Sequence, residues 1–111
     1  MSNGQSAFEG IKVLDLSTRL SGAWAARLFG DFGAEVLLPE GADGHFARSC
    51  SPFFDQNAEK KSLLHEYVNW NKASTSADKE HIAALISAAD IVVTTQPSEL
   101  IEHLDIQSIH L

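Results

Sequence analysis

Apolar positions alternate along the chain between two rhythms. In Ile11-Lys12-Val13-Leu14-Asp15-Leu16, four of six positions are apolar and two are β-branched, which predicts a strand. From Trp24 the apolar residues Trp24, Ala25, Leu28, Phe29 and Phe32 recur at helical spacing, and Gly33 stands where a left-handed cap closes a helix. Ala34 to Leu38 then reads as a second strand, stopped by Pro39, which has no N–H for a ladder.

Residues 39 to 58 hold two of the three prolines and no sustained period, so they predict one long loop. Leu63, Leu64, Tyr67 and Val68 predict a short helix over about 60–70, and "NKASTSAD" reads as a polar connector. Ser76 is placed to cap the next helix, whose buried stripe is Ile82, Leu85, Ile86 and Ala89. Asp90 to Thr95 predicts a third strand. Pro97-Ser98 starts a helical pattern through Leu104, and another (Ile106, Ile109) is under way at Leu111.

Strand, helix and strand in alternation specify parallel strands joined by crossovers. The expected fold class is α/β: a Rossmann-like open parallel sheet of three strands with helices on both faces, and only part of a domain. Residues 1–9 are expected to be a flexible N-terminus and 10–111 the folded segment. The amphipathic pattern broken at Leu111 leads us to expect truncation inside a larger protein.

Charge narrows the partners. Fifteen acidic against eight basic side chains give a net charge of −7, which argues against a nucleic-acid or anionic-membrane surface. No apolar run reaches membrane-spanning length, and the polar "MSNGQSAFEG" lacks a signal core, so the expected location is cytoplasmic. The single cysteine, Cys50, cannot form an internal disulfide and has no partner specified by spacing.

Little catalytic chemistry is legible. Asp15 and Asp31 could be proposed as paired carboxylates, but a strand end and a helix end explain them more simply. The five histidines show no pair at metal-ligand spacing on one face, so no metal site is expected. The pattern G-x-G-x-x-G is absent. Trp24, Phe29 and Phe32 are read as core, Gly30 and Gly33 as packing and cap, and Lys60-Lys61 as a solvated helix start. Tyr67 and Trp70 are the aromatic candidates for a partner surface.

The order of these blocks resembles a known family. "GIKVLDLSTRLSGAWAARLFGDFGAEVLLPE" (10 to 40) is similar to the opening of class III CoA-transferases, which include formyl-CoA and carnitine CoA-transferases and α-methylacyl-CoA racemase. Gly10, Val13 to Ser17, Gly22, Leu28, Asp31, Gly33, Ala34, Val36 and Glu40 carry the likeness. "GADGHFARSCSPFF" is similar to the family's G-D-x-x-R and G-P-P-F, "NWNKAS" to N-R-N-K-R-S, and "SAADIVV" to A-D-V-L-V.

The resemblance implies a Rossmann-like domain in an interlocked homodimer, with coenzyme A or acyl-CoA as substrate, lying across the loop after the first strand. No group is expected to be held covalently. Ser21 and Gly22 would line the pantetheine path, Asn71 and Lys72 the nucleotide end, and Arg48 would add a cation. The aspartate that forms the acyl anhydride, and the acid–base residues of the racemases, would lie beyond the equivalent of Leu111, leaving no catalytic residue in 1–111.

Departures from the pattern run alongside the matches. Leu38, Gly41 and Ala73 stand where the family carries basic residues, Ala23 where it has proline, and Thr94 to Ser98 where it has E-N-F-R-P-G. The link after Lys72 reads several residues short, as though a strand were deleted. Each lost charge-assisted phosphate contact is worth about 1.5–3 kcal/mol. Three readings follow: the N-terminal segment of a class III acyl-CoA transferase, a segment of an acyl-CoA racemase, or a non-catalytic binding or assembly module derived from such an enzyme. The partners implied are an acyl-CoA and a second copy or the remaining part of a larger protein.

Overall fold

The computed structural model describes residues 6–56 and 59–95. Its centre is a four-stranded parallel sheet in the order β5-β2-β1-β6, formed by β1 (Lys12–Asp15), β2 (Glu35–Glu40), β5 (Lys72–Ser76) and β6 (Ile91–Val93). The helices are α1 (Leu20–Asp31), α2 (Leu63–Asn69) and α3 (Lys79–Ala88). An α/β fold with a flanked parallel sheet is therefore what the chain forms.

Strand alternation sorts the helices to opposite faces. Val13 and Val36, cross-strand partners, pack with Ala26 of α1 into one core cluster that Phe29, Ile91 and Val93 extend. Leu14 and Leu37, one residue on, turn to the other face, where Leu85 and Ala88 of α3 lie beside them. Ahead of β1, Phe8 packs its ring on Phe29 and Phe32, with centroids 5.5 and 6.1 Å away.

Several boundaries differ from the sequence expectation, each for a local reason. The parallel sheet has four strands, not three. "KASTS", read as a polar connector, is β5, an edge strand whose Ala73 and Ser74 are exposed, so it carries no apolar signature. Pro39 does not end β2. It pairs with Thr75 past the last β1 contact, where the strand is laddered on one side only and proline is tolerated.

The long loop of 39–58 is also partly regular. It holds a 3₁₀ turn at Phe46–Ser49 and then β3 (Phe53–Gln56), which pairs antiparallel with β4 (Glu59–Ser62). The α2 helix starts at Leu63 rather than near Lys60, because the Ser62 hydroxyl caps it by accepting from the His65 N–H. At α3 the N-cap is Asp78, while the Ser76 hydroxyl accepts from the Asp78 N–H. The helical patterns expected over 97–109 lie outside the described residues.

Candidate functional site at the carboxyl ends of the strands

In an open parallel sheet, helices that start after each strand leave a crevice at the strands' carboxyl ends, deepest where neighbouring strands lead their connections to opposite sides. Here β1 sits between β2 and β6, and a cleft of about 270 Å³ opens there. Asp15, Leu16, Ser17 and Thr18 follow β1 into it. Pro39, Glu40 and Gly41 line it from β2, Gly44, His45 and Phe46 from the next loop, Ala77 and Ile82 from the start of α3, and Thr94 from behind β6.

One wall is fixed by Glu40. Its Oε2 accepts from the His45 N–H (2.8 Å) and Arg48 Nε (2.6 Å), and its Oε1 accepts from Arg48 Nη2 (2.9 Å) and the Ser74 hydroxyl (2.8 Å). The Arg48 guanidinium, bonded in this two-pronged manner, lowers the Glu40 pKa to about 2. A Cβ at Gly44, which has a φ of +76°, would stand 2.8 Å from Arg48 Cδ, so glycine lets the loop close over this pair.

The floor is a buried ion pair. Asp15 is fully buried; its Oδ1 accepts from the Ser17 N–H (2.9 Å) and hydroxyl (2.6 Å), and its Oδ2 from Lys72 Nζ (2.7 Å). Lys72 spends its remaining donors on the Ala23 carbonyl (2.8 Å) and Asn69 Oδ1 (2.6 Å). Burial pushes the Lys72 pKa down, and the Asp15 charge opposes that. The Asn69 amide nitrogen then faces His45 Nδ1 (3.2 Å) and His65 Nδ1 (3.0 Å), and His45 Nδ1 also accepts from the Ala47 N–H. Nδ1 thus acts as acceptor in both rings, and desolvation lowers both histidine pKa values.

None of the CoA-path residues singled out from sequence is in the cleft's lining, and they are not brought together. Ser21 is exposed on the first turn of α1. Gly22 is buried, and a Cβ there would stand 2.4 Å from Ser17 Cβ and 2.9 Å from Thr95 Cγ2, so the space above its backbone is filled by the protein's own side chains. Asn71 sits at the other end of α1, donating to the Arg27 carbonyl (3.1 Å) and Asp31 Oδ1 (2.9 Å). Lys72 lies beneath the floor, and Arg48 behind the wall.

The aromatics divide differently from expectation. Phe29 is half-buried, but Trp24 and Phe32 are 38% and 54% exposed and are not core within the described chain. Sequence reasoning also passed over Glu40, Thr18 and His45 as cleft-forming residues. Their signal was position alone, one to a few residues past the ends of β1 and β2. All eight lysines and arginines lie at described positions, and none is in the lining, which carries the two carboxylates Asp15 and Glu40.

Among the described residues no group of His, Cys, Asp or Glu is arranged to hold a metal ion, and no helix is long and apolar enough to cross a membrane.

Known proteins share this architecture. Residues 8–111 match the sequence profile of CoA-transferase family III. Over 106 residues the chain is 32% identical to succinyl-CoA:mesaconate CoA-transferase of Haloarcula hispanica, covering 89% of this chain and 27% of that protein. It is 31% identical over 105 residues to succinate–glutarate CoA-transferase of Agrobacterium fabrum, covering 84% and 26%. The crystal structure of a CAIB/BAIF family protein from Brucella suis superposes with a TM-score of 0.80 at 28% identity, over 94% of this chain and 30% of that one. The chain thus spans about a quarter of the length of the curated relatives it matches. With its profile match running from residue 8 to residue 111, the chain belongs to CoA-transferase family III.

Proposed function

We propose that this chain is the acyl-CoA-facing N-terminal part of a CoA-transferase acting between carboxylic acids, and that the ligand lies in the cleft at the carboxyl ends of β1, β2 and β6. The observation that carries the reading is that cleft, at the carboxyl ends of the parallel strands and in a chain of this family. Small hydroxyl side chains (Ser17, Thr18) beside apolar Leu16, Phe46 and Ile82 suit a pantetheine or purine-like group. In this reading Ser21 stands at the lip, Gly22 and Lys72 hold the turn after β1 in shape, Asn71 braces the far end of α1, and Arg48 is the cation that exchanges Glu40 for a phosphate. The aspartate whose carboxylate attacks the thioester carbonyl, expelling CoA thiolate and forming the mixed anhydride, is supplied by polypeptide outside 1–111.

A second reading, a non-catalytic module descended from such an enzyme, is favoured by one observation: the lining has two carboxylates and no lysine or arginine, and Arg48 and Lys72 are already engaged. Thermal unfolding of the chain with coenzyme A separates the two. The first reading expects the midpoint to rise with CoA, and the rise to shrink in Thr18→Val or Arg48→Ala. An unchanged midpoint at millimolar CoA removes ligand binding by this chain and leaves the second.

A further inference from the structure

Among the described residues, one buried donor at the cleft has no partner. His45 is 7% exposed and lines the cleft, and its Nε2 has no hydrogen-bonding neighbour in the described chain. The protonation of that nitrogen follows from the groups around the ring. Lys72 Nζ can only donate, so the Asn69 atom it meets at 2.6 Å is the carbonyl oxygen, and the amide turns its two N–H groups the other way. Those groups lie 3.2 Å from His45 Nδ1 and 3.0 Å from His65 Nδ1. The Ala47 N–H also reaches His45 Nδ1, at 3.2 Å, where the side chain caps the 3₁₀ turn. With two donors aimed at it, Nδ1 holds the lone pair, and the proton of the neutral ring sits on Nε2. Burial, which lowers the ring's pKa, favours that neutral form. Neither Ala47 nor Asn69 lines the cleft, and Nε2 is on the opposite edge of the ring from Nδ1. The unpartnered N–H is therefore on the cleft side.

We infer that the His45 Nε2–H is a specificity-determining donor that takes a carbonyl oxygen of the ligand's pantetheine arm, amide or thioester. The inference rests on the acyl-CoA reading of the cleft given above. A buried N–H without an acceptor is costly, and one held in place by its neighbours is a binding group before any ligand arrives. The charge of the lining selects the acceptor. Its carboxylates, Asp15 and Glu40, are both engaged, and it carries no lysine or arginine. A phosphate seated there would meet no cation in the lining, whereas a neutral carbonyl needs only a neutral donor in an apolar surround. Leu16, Phe46 and Ile82 supply that surround, and the Phe46 ring centroid lies 4.3 Å from that of His45. Lys72, Asn69 and His45 thus form one line of hydrogen bonds from the Asp15 floor to the ligand. In the pattern G-D-x-x-R, counted back from Arg48, His45 occupies the aspartate position, so the donor belongs to this chain rather than to the pattern.

Two substitutions separate the donor from the cap. Asparagine carries an acceptor oxygen where His45 has Nδ1 and nothing at Nε2, while glutamine carries an amide N–H near Nε2 and loses the cap. In calorimetric titration with pantetheine, His45→Asn should weaken binding about fivefold or more and His45→Gln should retain most of it. In urea the order should reverse, His45→Asn being the more stable of the two. Binding by His45→Gln as weak as by His45→Asn, or weaker, overturns the inference. Nitrogen NMR of the labelled imidazole, above about pH 6.5, should show Nε2 protonated in the free chain. Its signal should move with pantetheine or acetyl-CoA and stay put with adenosine bisphosphate, which has phosphates and no carbonyl. Movement with pantetheine assigns the amide, and movement that needs acetyl-CoA assigns the thioester. A proton on Nδ1, or a response to the bisphosphate alone, overturns the inference. CoA binding that leaves the His45 ring and both variants unaffected overturns it and spares the acyl-CoA reading, whereas no binding of CoA or acetyl-CoA by the chain removes both.

Discussion

On the side of α1 that meets the sheet stand Gly22, Ala23 and Ala26; on the side that meets solvent stand Leu20, Trp24, Leu28 and Phe32. The small inner residues let the helix backbone come close enough for Lys72 to reach the Ala23 carbonyl from below while it holds Asp15. The inner side is therefore tight and polar at its deepest point, and nearly every group there has a partner. The outer side leaves large apolar area in water. Burial of apolar surface drives folding, so substitutions on the two sides should differ in cost: large losses of stability on the inner side, small ones on the outer.

The largest effect expected on the inner side comes from the ion pair. Lys72→Met leaves a fully buried Asp15 carboxylate with only Ser17 as partner, and such an uncompensated charge costs about 3–5 kcal/mol. Urea unfolding should show that loss. Asp15→Asn with Lys72→Met together should recover most of it, since the stranded charge is gone. A loss below about 1 kcal/mol in the single variant would mean that Asp15 is not held by Lys72.

Next comes the close approach itself. Gly22→Ala places a methyl group 2.4 Å from Ser17 Cβ and 2.9 Å from Thr95 Cγ2. Alanine gains about 1 kcal/mol of helix propensity, but overpacking of a closed site costs about 1–3 kcal/mol, and at this distance the clash wins. The variant should unfold at lower urea. It should also blunt whatever the cleft binds, because Ser17 lies in the lining and must move. Were Gly22→Ala more stable than the parent, the packing of the β1–α1 turn described above would be wrong.

A smaller effect follows acidification. His45 and His65 both accept through Nδ1 and both have pKa values lowered below 6.5, chiefly by desolvation. The unfolded chain therefore takes up protons at a higher pH than the folded one. Stability is full above about pH 6.5 and falls as the pH drops from there toward the lowered native values. Glu40 behaves likewise in a lower window: its contribution is present above the unfolded value of 4.5 and is lost toward about 2. Imidazole proton shifts in NMR should show both rings titrating below 6.5, and a ring titrating at or above that value would break the Asn69 bridge.

The inner side was partly legible in the sequence and the outer side was misread. Val13, Leu14 and Val36 announce their strands because strands buried on both faces are apolar throughout. β5 announced nothing, since an edge strand of Ala, Ser and Thr looks like a connector. The β3–β4 pair lay hidden in a stretch with no sustained alternation of apolar and polar residues. The five residues assigned to a CoA path came from likeness to the family alone, and none of them lines the cleft. The cleft itself was not, because Glu40, Thr18 and His45 are brought together by the sheet order and share no local pattern. Trp24 and Phe32 were read as core for a sound reason, since large apolar residues at helical spacing usually are. Small residues two positions to either side of Trp24, Gly22 and Ala26, were the clue that the helix faces the sheet with its other side.

That clue sets the smallest expected effect on folding. Leu28→Lys and Trp24→Lys change the outer ridge, 41% and 38% exposed, without touching the sheet. Surface substitutions away from packing features shift stability by about 0.5 kcal/mol or less, and losing the Trp24–Tyr67 stack and half of the Arg27 contact adds about 0.5–1.5 kcal/mol to the second. Leu28→Lys is thus the cleaner probe. Its urea midpoint should match the parent's to within that range. A Leu28→Lys loss of about 2 kcal/mol or more, the cost of removing a buried leucine, would show that the outer side belongs to the fold after all, and the contrast between the two sides of α1 would dissolve.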